Sequence, residues 1–453
     1  MVKLSSSMSE KIFSQKAHYN RNINKNNSRI QRHDVKKNIS LVVDETINNI
    51  SNEKIDFIVD NSSNIKNMTK NYHDLGQYFT THIVLQEKVL EFIKNSSNII
   101  LEPSIGQGDL VKYVQSKLEM VKFDMFEIDD SIPLLESIKK EHVIYGDFMA
   151  QNIDNRYKTI IGNPPYVKTK KGNLYIDFID KCYRLLENDG ELIFIVPSDF
   201  FKLTSASKLL NEMMENGNFT HIFHPHNENM FANASIDIIV FRYCKNKYLE
   251  KNTNYNDEML HIINNNGLIT FCNNKNNNDL LFKDYFDIYV GMVSGKEEVF
   301  KNTNLGNIEL LNGKDKREKY ILITNYPSEN NDINNHLLRN KNQLISRKIR
   351  KFNENNWFEW GALRNKNAME NSMGKECIYV NNLTRNETIA FVDKVQYFGG
   401  TLIMLIPKKK CNLHNIVRYM NSDKFKTNFT FSKRFKIGHR QISYSNIPEE
   451  LLS

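Results

Sequence analysis

The tetrapeptide Asn163-Pro164-Pro165-Tyr166 combines residue types that could bind a planar group bearing an amine. It follows the apolar run 157–161, so we expect a loop at the end of a buried strand. The two prolines remove two N–H donors, which leaves the carbonyls of Asn163 and Pro164 free to face a ligand. The Asn163 amide adds an oxygen acceptor and the Tyr166 ring a stacking surface, which suits the exocyclic amino group of a base. A Pro-Pro turn that only closes a strand is the alternative.

A second candidate site is a glycine-rich turn earlier in the chain. An apolar strand over 98–101 runs into this turn, which holds Gly106 and Gly108, and a helical pattern follows over 110–120. Strand, turn and helix in this order are typical of the first unit of a doubly wound sheet, and glycine lets the backbone approach a ligand closely. The third glycine of the dinucleotide-binding pattern is absent, which argues against a nicotinamide or flavin site.

Acidic residues follow the next two predicted strands. Glu127 ends the strand over 122–126, where it could accept hydrogen bonds from ribose hydroxyls. After the strand over 142–145, Asp147 could accept a hydrogen bond from an adenine amino group while Phe148 packs against the ring. The alternative for both acids is a helix N-cap.

Helices and strands alternate around these residues. Further strands are predicted over 191–196, 219–223 and 236–242, and helices over 83–93, 133–140, 174–186 and 206–215. Because the alternation closes on a hairpin, we expect an α/β fold with a mostly parallel, Rossmann-like sheet of seven strands.

The length of 453 residues predicts two or three domains. Residues 1–65 are polar and basic, and we expect them to be mostly disordered apart from one helix within 41–59. The catalytic domain is predicted over 66–247 and an Asn-rich linker over 248–279. Residues 280–453 lack the regular alternation and are predicted to form a mixed α+β domain.

The net charge of +8 is concentrated at the two ends of the chain. Residues 1–40 carry roughly +7 and residues 251–453 roughly +9. Basic residues interleaved with aromatic ones fit contacts with the phosphates and bases of a nucleic acid, and a solvated basic face is the alternative. The candidates for these contacts are Arg347, Lys348, Arg350, Lys433, Arg434 and Arg440.

Several classes of protein are disfavoured by the composition. The apolar runs are too short to span a bilayer, and we see no signal segment. The five cysteines form no Cys-x-x-Cys pair, which argues against a disulfide framework and a zinc cluster. We therefore expect no metal, and a reducing compartment, the cytoplasm.

Taken in order, these motifs resemble those of the gamma-class N6-adenine DNA methyltransferases of type II restriction–modification systems. The segment 76–80, Gly-Gln-Tyr-Phe-Thr, is similar to the leading cofactor loop of that family. The segment 102–108 is similar to its methionine-side motif, and 163–166 to its catalytic motif. The resemblance also implies that the C-terminal residues 280–453 form a DNA target-recognition domain.

The resemblance implies S-adenosyl-L-methionine as the cofactor and a role for each matched residue. The cofactor's methionine part would be held by Thr80, Glu102, Ser104, Gly106 and Gly108, its ribose by Glu127, and its adenine by Asp147 and Phe148. The target amino group would be bound by Asn163 and the Pro164 carbonyl, with Pro165 completing the motif, and the base stacked by Tyr166 and Phe231. Thr81 departs from the family, which commonly carries proline there.

The resemblance further implies double-stranded DNA as the substrate and a separately encoded restriction endonuclease as a candidate partner. We expect a monomer without membrane contact. Two alternatives stay open: methylation of another amino group (an RNA base, cytosine N4 or a protein glutamine), and a catalytically silent DNA-binding protein. The leading loop and the basic C-terminal domain favour DNA, and asparagine before the two prolines favours adenine.

Overall fold

The computed structural model describes residues 76–118, 120–169, 172–232, 234–273 and 280–452, and its main element is a ten-stranded sheet. The predicted N-terminal extension over 1–65, with its helix, lies outside the described residues. Residues 74–453 pack as one unit, so the catalytic and C-terminal parts can be described together.

Seven strands of the main sheet follow the predicted order along the chain. They are β1 (Ile99–Glu102), β2 (Lys122–Glu127), β3 (Val143–Tyr145), β4 (Tyr157–Gly162), β5 (Leu186–Pro197), β6 (Asn218–Phe223) and β7 (Ile238–Cys244). In space they lie in the order β3-β2-β1-β4-β5-β7-β6. The first five pair in parallel, and β7 runs antiparallel to β5 and β6. The predicted Rossmann-like sheet is therefore confirmed.

Helices cover both faces of this sheet. They are α1 (Ile83–Phe92), α2 (Asp109–Gln115), α3 (Leu174–Leu185) and α4 (Ser207–Asn216). Successive strand residues point to opposite faces, so Ile160 and Ile161 of β4 enter two separate apolar cores. Helices α3 and α4 pack in the first core, and α1 and α2 in the second. Burial on both faces explains why β4, β5 and β7 read as nearly continuous apolar runs.

The helix predicted over 133–140 is wrong, because this segment contains no α-helix. Its Leu135 N–H donates to the carbonyl of Gln107 in the glycine-rich turn at 2.9 Å. Ile138 packs beneath the same turn, where a Cβ on Gly108 would lie 2.6 Å from the Ile138 side chain. The contacts with the turn thus outweigh the local helical pattern.

The predicted linker over 248–279 is also wrong for residues 252–272, which extend the main sheet. Its three strands are β8 (Asn252–Tyr255), β9 (Glu258–Asn265) and β10 (Leu268–Cys272). Strand β8 pairs in parallel with β6, and β9 and β10 follow as antiparallel neighbours. Positive φ angles at Asn256, Asp257, Asn266 and Gly267 form the two tight turns, so the polar composition encodes hairpin turns.

The C-terminal part has the predicted mixed α+β character. Its strands are β11 (Phe286–Val290), β12 (Ile308–Gly313), β13 (Lys316–Tyr320), β14 (Glu376–Asn381), β15 (Leu383–Thr384), β16 (Ala390–Lys394), β17 (Leu402–Pro407), β18 (Thr430–Phe431) and β19 (Arg434–Lys436). Its helices are α5 (Phe282–Tyr285), α6 (Glu297–Phe300), α7 (Asn331–Arg339), α8 (Lys341–Ile345), α9 (Lys366–Ser372), α10 (Leu413–Met420), α11 (Asp423–Lys426) and α12 (His439–Ser443). A central antiparallel sheet in the order β11-β17-β14-β16 separates two apolar cores.

Candidate active site

The loops that follow β1 to β4 meet at the carboxyl edge of the parallel sheet and enclose a cleft of about 330 Å³. Ligands of doubly wound folds bind at this edge. The walls of the cleft bring together residues that the sequence separates widely: Tyr78, Ser104, Gly106, Glu127, Asp147, Phe148, Asn163 and Pro165. A smaller adjoining cavity of about 30 Å³ is lined by Thr80, Glu102, Ser104 and Asn163, among others.

The glycine-rich turn requires glycine at two positions. Gly106 has φ +57° and Gly108 has φ +95°, both in the left-handed region. A Cβ on Gly106 would lie 3.1 Å from the Phe79 ring, and Gly108 precedes α2 as its N-cap. Gly106 therefore lines the cleft, whereas Gly108 shapes the turn from behind.

Glu127 holds the turn in place from the neighbouring strand. One carboxylate oxygen accepts a hydrogen bond from the Gly106 N–H at 2.9 Å, and the other accepts from the Ile128 and Asp129 N–H groups. Burial raises the pKa of Glu127, although these hydrogen bonds oppose the shift. Glu127 thus orients the backbone of the cleft and also lines it.

Glu102 is the most deeply buried acid of the site, with 2% of its surface exposed. Its carboxylate accepts a hydrogen bond from the Ser104 N–H at 3.1 Å. Burial raises the pKa of Glu102 to about 8; the Ser104 hydrogen bond opposes the shift and the charge of Glu127 adds to it. The raised pKa favours the protonated form of Glu102 at neutral pH.

Asp147 and Phe148 follow β3, as predicted. Asp147 caps a short 3₁₀ turn, because its carboxylate accepts a hydrogen bond from the Met149 N–H at 2.9 Å. The capping alternative is therefore realised, and the exposed carboxylate borders the cleft as well. The buried Phe148 ring packs against Phe126 and Phe178, and it offers one wall of the cleft.

Asn163 stands where the cleft meets an aromatic cluster. Its amide nitrogen donates to the Tyr78 carbonyl at 2.6 Å and to the Thr80 hydroxyl at 3.1 Å. Its amide oxygen accepts a hydrogen bond from the Tyr166 hydroxyl at 2.7 Å. Pro164 is buried beside it. The asparagine therefore connects the leading loop, the cofactor side of the cleft and Tyr166.

The rings of Tyr78, Tyr166 and Phe231 form an aromatic cluster next to Asn163. Tyr166 lies 5.4 Å from Tyr78 and 6.2 Å from Phe231 between ring centroids. Burial raises the pKa of the Tyr166 hydroxyl well above its ordinary value, so it acts as a hydrogen-bond donor. The sequence analysis predicted Tyr166 and Phe231 as stacking residues but not Tyr78. The position of Tyr78 in the leading loop, next to the predicted cofactor contact Thr80, could have indicated it.

One predicted nucleic-acid contact, Arg347, is wrong. This residue is 8% exposed, and its guanidinium donates to the carbonyls of Leu344, Ser294, Trp357 and Glu359. Burial lowers its pKa to about 10. Arg347 thus joins segments of the C-terminal core, and the sequence pattern could not separate it from its exposed basic neighbours.

We predict that Arg347→Met destabilises the protein by about 3 kcal/mol or more, because four buried carbonyls lose their donor. Urea unfolding followed by circular dichroism measures the change. Lys348→Met, on an exposed neighbour, is the matched control and should leave the midpoint unchanged. Equal stability of the two variants, with DNA binding lost only in Arg347→Met, would restore the original assignment.

The other basic candidates differ in how far they are available to a ligand. Arg350 is exposed but paired with Glu359 at 2.5 Å. The half-buried Arg440 donates to the Asn266 carbonyl, and burial lowers its pKa. These contacts give Arg440 a role inside the chain, and its contact with nucleic acid stays a prediction.

Lys433 and Arg434 are exposed on the hairpin of β18 and β19. This hairpin contacts the carboxyl edge of the main sheet. The Ser432 N–H, next to Lys433, donates to the Asp237 carboxylate at 3.0 Å. Asp237 directly precedes β7, whose first residue pairs with the last residue of β5. The hairpin therefore presents its two cations on the same edge of the sheet as Asn163.

Asp237 belongs to a buried polar group that the sequence analysis missed. Its carboxylate accepts from the Ser198 hydroxyl at 2.6 Å and contacts the His224 ring nitrogen Nε2 at 2.8 Å. Burial would raise the pKa of Asp237, but the contacts with His224, Ser198 and Ser432 outweigh it and lower the pKa. The ionised aspartate thus joins β5, β6 and the hairpin.

Within the described ranges, no cluster of three or more His, Cys, Asp or Glu residues could hold a metal ion. None of the helices in these ranges has the length and apolar character that crossing a membrane requires.

The strand order, the glycine-rich turn after β1 and the acids at the ends of β1 and β2 and after β3 define a Rossmann-like fold with a ligand cleft at the carboxyl edge of its parallel strands. S-adenosylmethionine, the cofactor that the resemblance implies, fits the site: the cleft volume lies in the range of small-molecule pockets, and a Cβ on Gly106 would crowd the Phe79 ring at 3.1 Å. The chain belongs to the Eco57I restriction-modification methylase family, whose model matches residues 1–231.

Curated relatives of the chain include type II methyltransferases. The type II methyltransferase M.HincII of Haemophilus influenzae is 31% identical over 199 residues, which cover 39% of this chain and 38% of the relative. M.CvrRI of Paramecium bursaria Chlorella virus XZ-6E is 26% identical over 196 residues, covering 39% of this chain and 50% of the relative. The chain thus spans half or less of the length of these two relatives.

Two solved structures align with parts of the chain at low sequence identity. The structure of a DrdV–DNA complex aligns with a TM-score of 0.43 at 12% identity, covering 76% of this chain and 50% of that one. The type I restriction enzyme EcoKI M protein aligns with a TM-score of 0.31 at 14% identity, covering 40% and 47%.

Proposed function

We propose that this protein is a site-specific DNA methyltransferase that modifies the N6 amino group of an adenine flipped out of the duplex. The observation that carries the proposal is the position of Asn163, which lines the cofactor cleft and contacts the stacking ring of Tyr166. An amide oxygen at this junction can accept a hydrogen bond from a base that stacks on the ring. The family membership and the M.HincII relative support the same activity.

The chemistry asks the protein for positioning more than for acid or base catalysis. An adenine amino nitrogen is a poor nucleophile, because its lone pair is delocalised into the ring. Hydrogen bonds accepted by Asn163 and the Pro164 carbonyl would favour a pyramidal nitrogen with its lone pair directed into the cleft. When bound, S-adenosylmethionine supplies an electrophilic methyl group.

The residues around the cleft divide the binding of the cofactor. We infer that Thr80, Glu102, Ser104 and Gly106 hold the methionine part, because they line the small cavity beside Asn163. Glu127 would accept hydrogen bonds from the ribose, and Asp147 and Phe148 would bind the adenine ring. All three border the larger cleft.

We predict that binding of the cofactor at pH 7 releases about one proton, from Glu102. The pKa of about 8 keeps this carboxyl protonated in the free protein, and the cationic methionine amino group would favour its ionised form. Affinity should therefore weaken as the pH falls below 8. Titration calorimetry in two buffers of different ionisation enthalpy measures the proton release.

Glu102→Gln should bind the cofactor without releasing a proton, since it cannot ionise. Glu91→Gln, on the exposed face of α1, is the control and should behave as the wild type. Equal proton release by the wild type and Glu102→Gln would contradict the assignment of Glu102.

The C-terminal part would bind the DNA substrate. Exposed Lys433 and Arg434 at the carboxyl edge of the sheet support this, as does the charge of roughly +9 over residues 251–453. We further propose a monomer in a reducing cytoplasm, which fits five cysteines that form no disulfide. A separate cognate endonuclease would complete the restriction–modification system.

Methyl transfer from labelled S-adenosylmethionine to duplex DNA, RNA and protein tests the proposal, with nucleoside analysis of the product. N6-methyladenine in DNA is the expected result, and sequencing of modified sites then gives the recognition sequence. N4-methylcytosine, or label only in RNA or protein, would contradict the proposed substrate. Cofactor binding without transfer to any of them would favour a catalytically silent DNA-binding protein.

A further inference from the structure

The aromatic cluster beside Asn163 leaves no slot for a flipped base. The rings of Tyr166 and Phe231 are 6.2 Å apart between centroids and inclined at 65°. A base stacked on both rings at carbon contact distance would need them about 7 Å apart or more, and closer to parallel. The two residues proposed to hold the base are therefore not arranged to receive it.

The ring of Tyr78 packs against both of the rings that are proposed to hold the base. Its ring centroid lies 5.4 Å from that of Tyr166 and 5.6 Å from that of Phe231, and the angles between the ring planes are 33° and 32°. Both angles are smaller than the 65° between the planes of Tyr166 and Phe231. The three ring centroids form a nearly equilateral triangle, so the Tyr78 ring packs against both of the other rings from one side. Tyr78 thus satisfies the stacking surfaces of the pocket from within the chain.

The polar group of the pocket is occupied in the same way. The Asn163 amide oxygen, the proposed acceptor for the target amino group, accepts the Tyr166 hydroxyl at 2.7 Å. The Asn163 amide nitrogen donates to the Tyr78 carbonyl at 2.6 Å, which holds the leading loop over the pocket. The stacking rings and the acceptor therefore both have partners within the chain before any base arrives.

We propose that Tyr78 is a gate residue that closes the target-base pocket and must swing out before the base can enter. This inference rests on the proposed function, because it names a further residue of the same pocket. Tyr78 lines both cavities of the cofactor site, and its ring contacts Tyr166 and Phe231, so the residue lies where the cofactor site meets the aromatic cluster. Its ring competes with the base for the faces of Tyr166 and Phe231.

Fluorescence of 2-aminopurine tests the gate, with the analogue placed at the target adenine of the mapped recognition sequence. Tyr78→Ala should increase the ratio of flipped to stacked base about tenfold, because two ring contacts no longer compete with the base. Tyr78→Phe keeps the ring and should match the wild type. Tyr113→Ala, which removes a ring from outside both cavities, is the matched control.

A binding measurement separates the gate from a general structural role. Tyr78→Ala should bind the duplex with the target base about tenfold more tightly than the wild type does. The wild type and Tyr78→Ala should bind a duplex with an abasic target site with equal affinity, because no base then competes with the ring. If Tyr78→Ala is poorly folded by circular dichroism, Tyr78→Leu replaces it in both assays.

Suppose that the wild type methylates DNA but that the folded Tyr78 variant flips the base no more than the wild type does. This result would overturn the gate and leave the proposed function intact. Tighter binding of the abasic duplex by Tyr78→Ala would also overturn it. Wild-type protein that neither methylates DNA nor flips the analogue would overturn both.

Discussion

Replacing Asn163 by alanine is expected to abolish methyl transfer while the cofactor still binds. The variant loses the amide oxygen proposed to accept a hydrogen bond from the target amino group. Removal of one such positioned group costs about 10³-fold in turnover, and more where the nucleophile is as weak as an adenine amine. Single-turnover kinetics with labelled cofactor measure the loss.

The affinity of Asn163→Ala for the cofactor should fall by about tenfold at most, because two hydrogen bonds to the leading loop disappear. Titration calorimetry measures this affinity independently of turnover. Asn152→Ala, on an exposed loop before β4, is the matched control and should keep both properties. Turnover near the wild-type rate in Asn163→Ala would remove this residue from the mechanism.

Replacing Lys433 and Arg434 together by alanine is expected to weaken DNA binding by one to two orders of magnitude, roughly. The hairpin holds both cations on the edge of the sheet that carries Asn163, through the contact between Ser432 and Asp237. If each cation neutralises one phosphate, the slope of log affinity against log salt becomes shallower by about two. Fluorescence anisotropy at several salt concentrations gives both values.

Lys122 and Lys158 provide the matched control for the hairpin. Both are exposed and lie at or near the amino ends of β2 and β4, on the opposite edge of the same sheet. Their double alanine variant removes the same charge and should leave the affinity and the salt slope unchanged. An equal loss in the two double variants would indicate a general effect of net charge and would contradict a contact at the hairpin.

The parallel sheet and the residues at its carboxyl edge could be predicted because each depends on local sequence. Apolar runs buried on both faces encode β4 and β5, and left-handed turns require glycine at 106 and 108. Once the strands are known, parallel pairing brings their carboxyl ends together. Glu127, Asp147 and Asn163 then meet at one cleft without any further assumption.

Other features depend on contacts between distant segments, which a single sequence does not display. Arg347 has the same local pattern as the exposed Lys348, and only its four carbonyl partners show its structural role. The segment 133–140 contains helix-forming residues, but Ile138 packs under Gly108. Tyr78 belongs to a loop more than eighty residues before Tyr166, so the contact between their rings could not be predicted.

Strands β8 to β10 limit where the C-terminal part can be exchanged between relatives, an exchange that would test its proposed role in DNA recognition. Leu268 of β10 is fully buried in the C-terminal core, whereas its neighbour Ile269 belongs to the core of the main sheet. The Phe271 N–H and carbonyl are also bound by the Asn428 side chain. A chimera joined at residue 248 would replace these strands and disrupt both cores. A transplant should therefore begin after residue 273. Its core residues should still pack against Leu268, which stays with the main sheet.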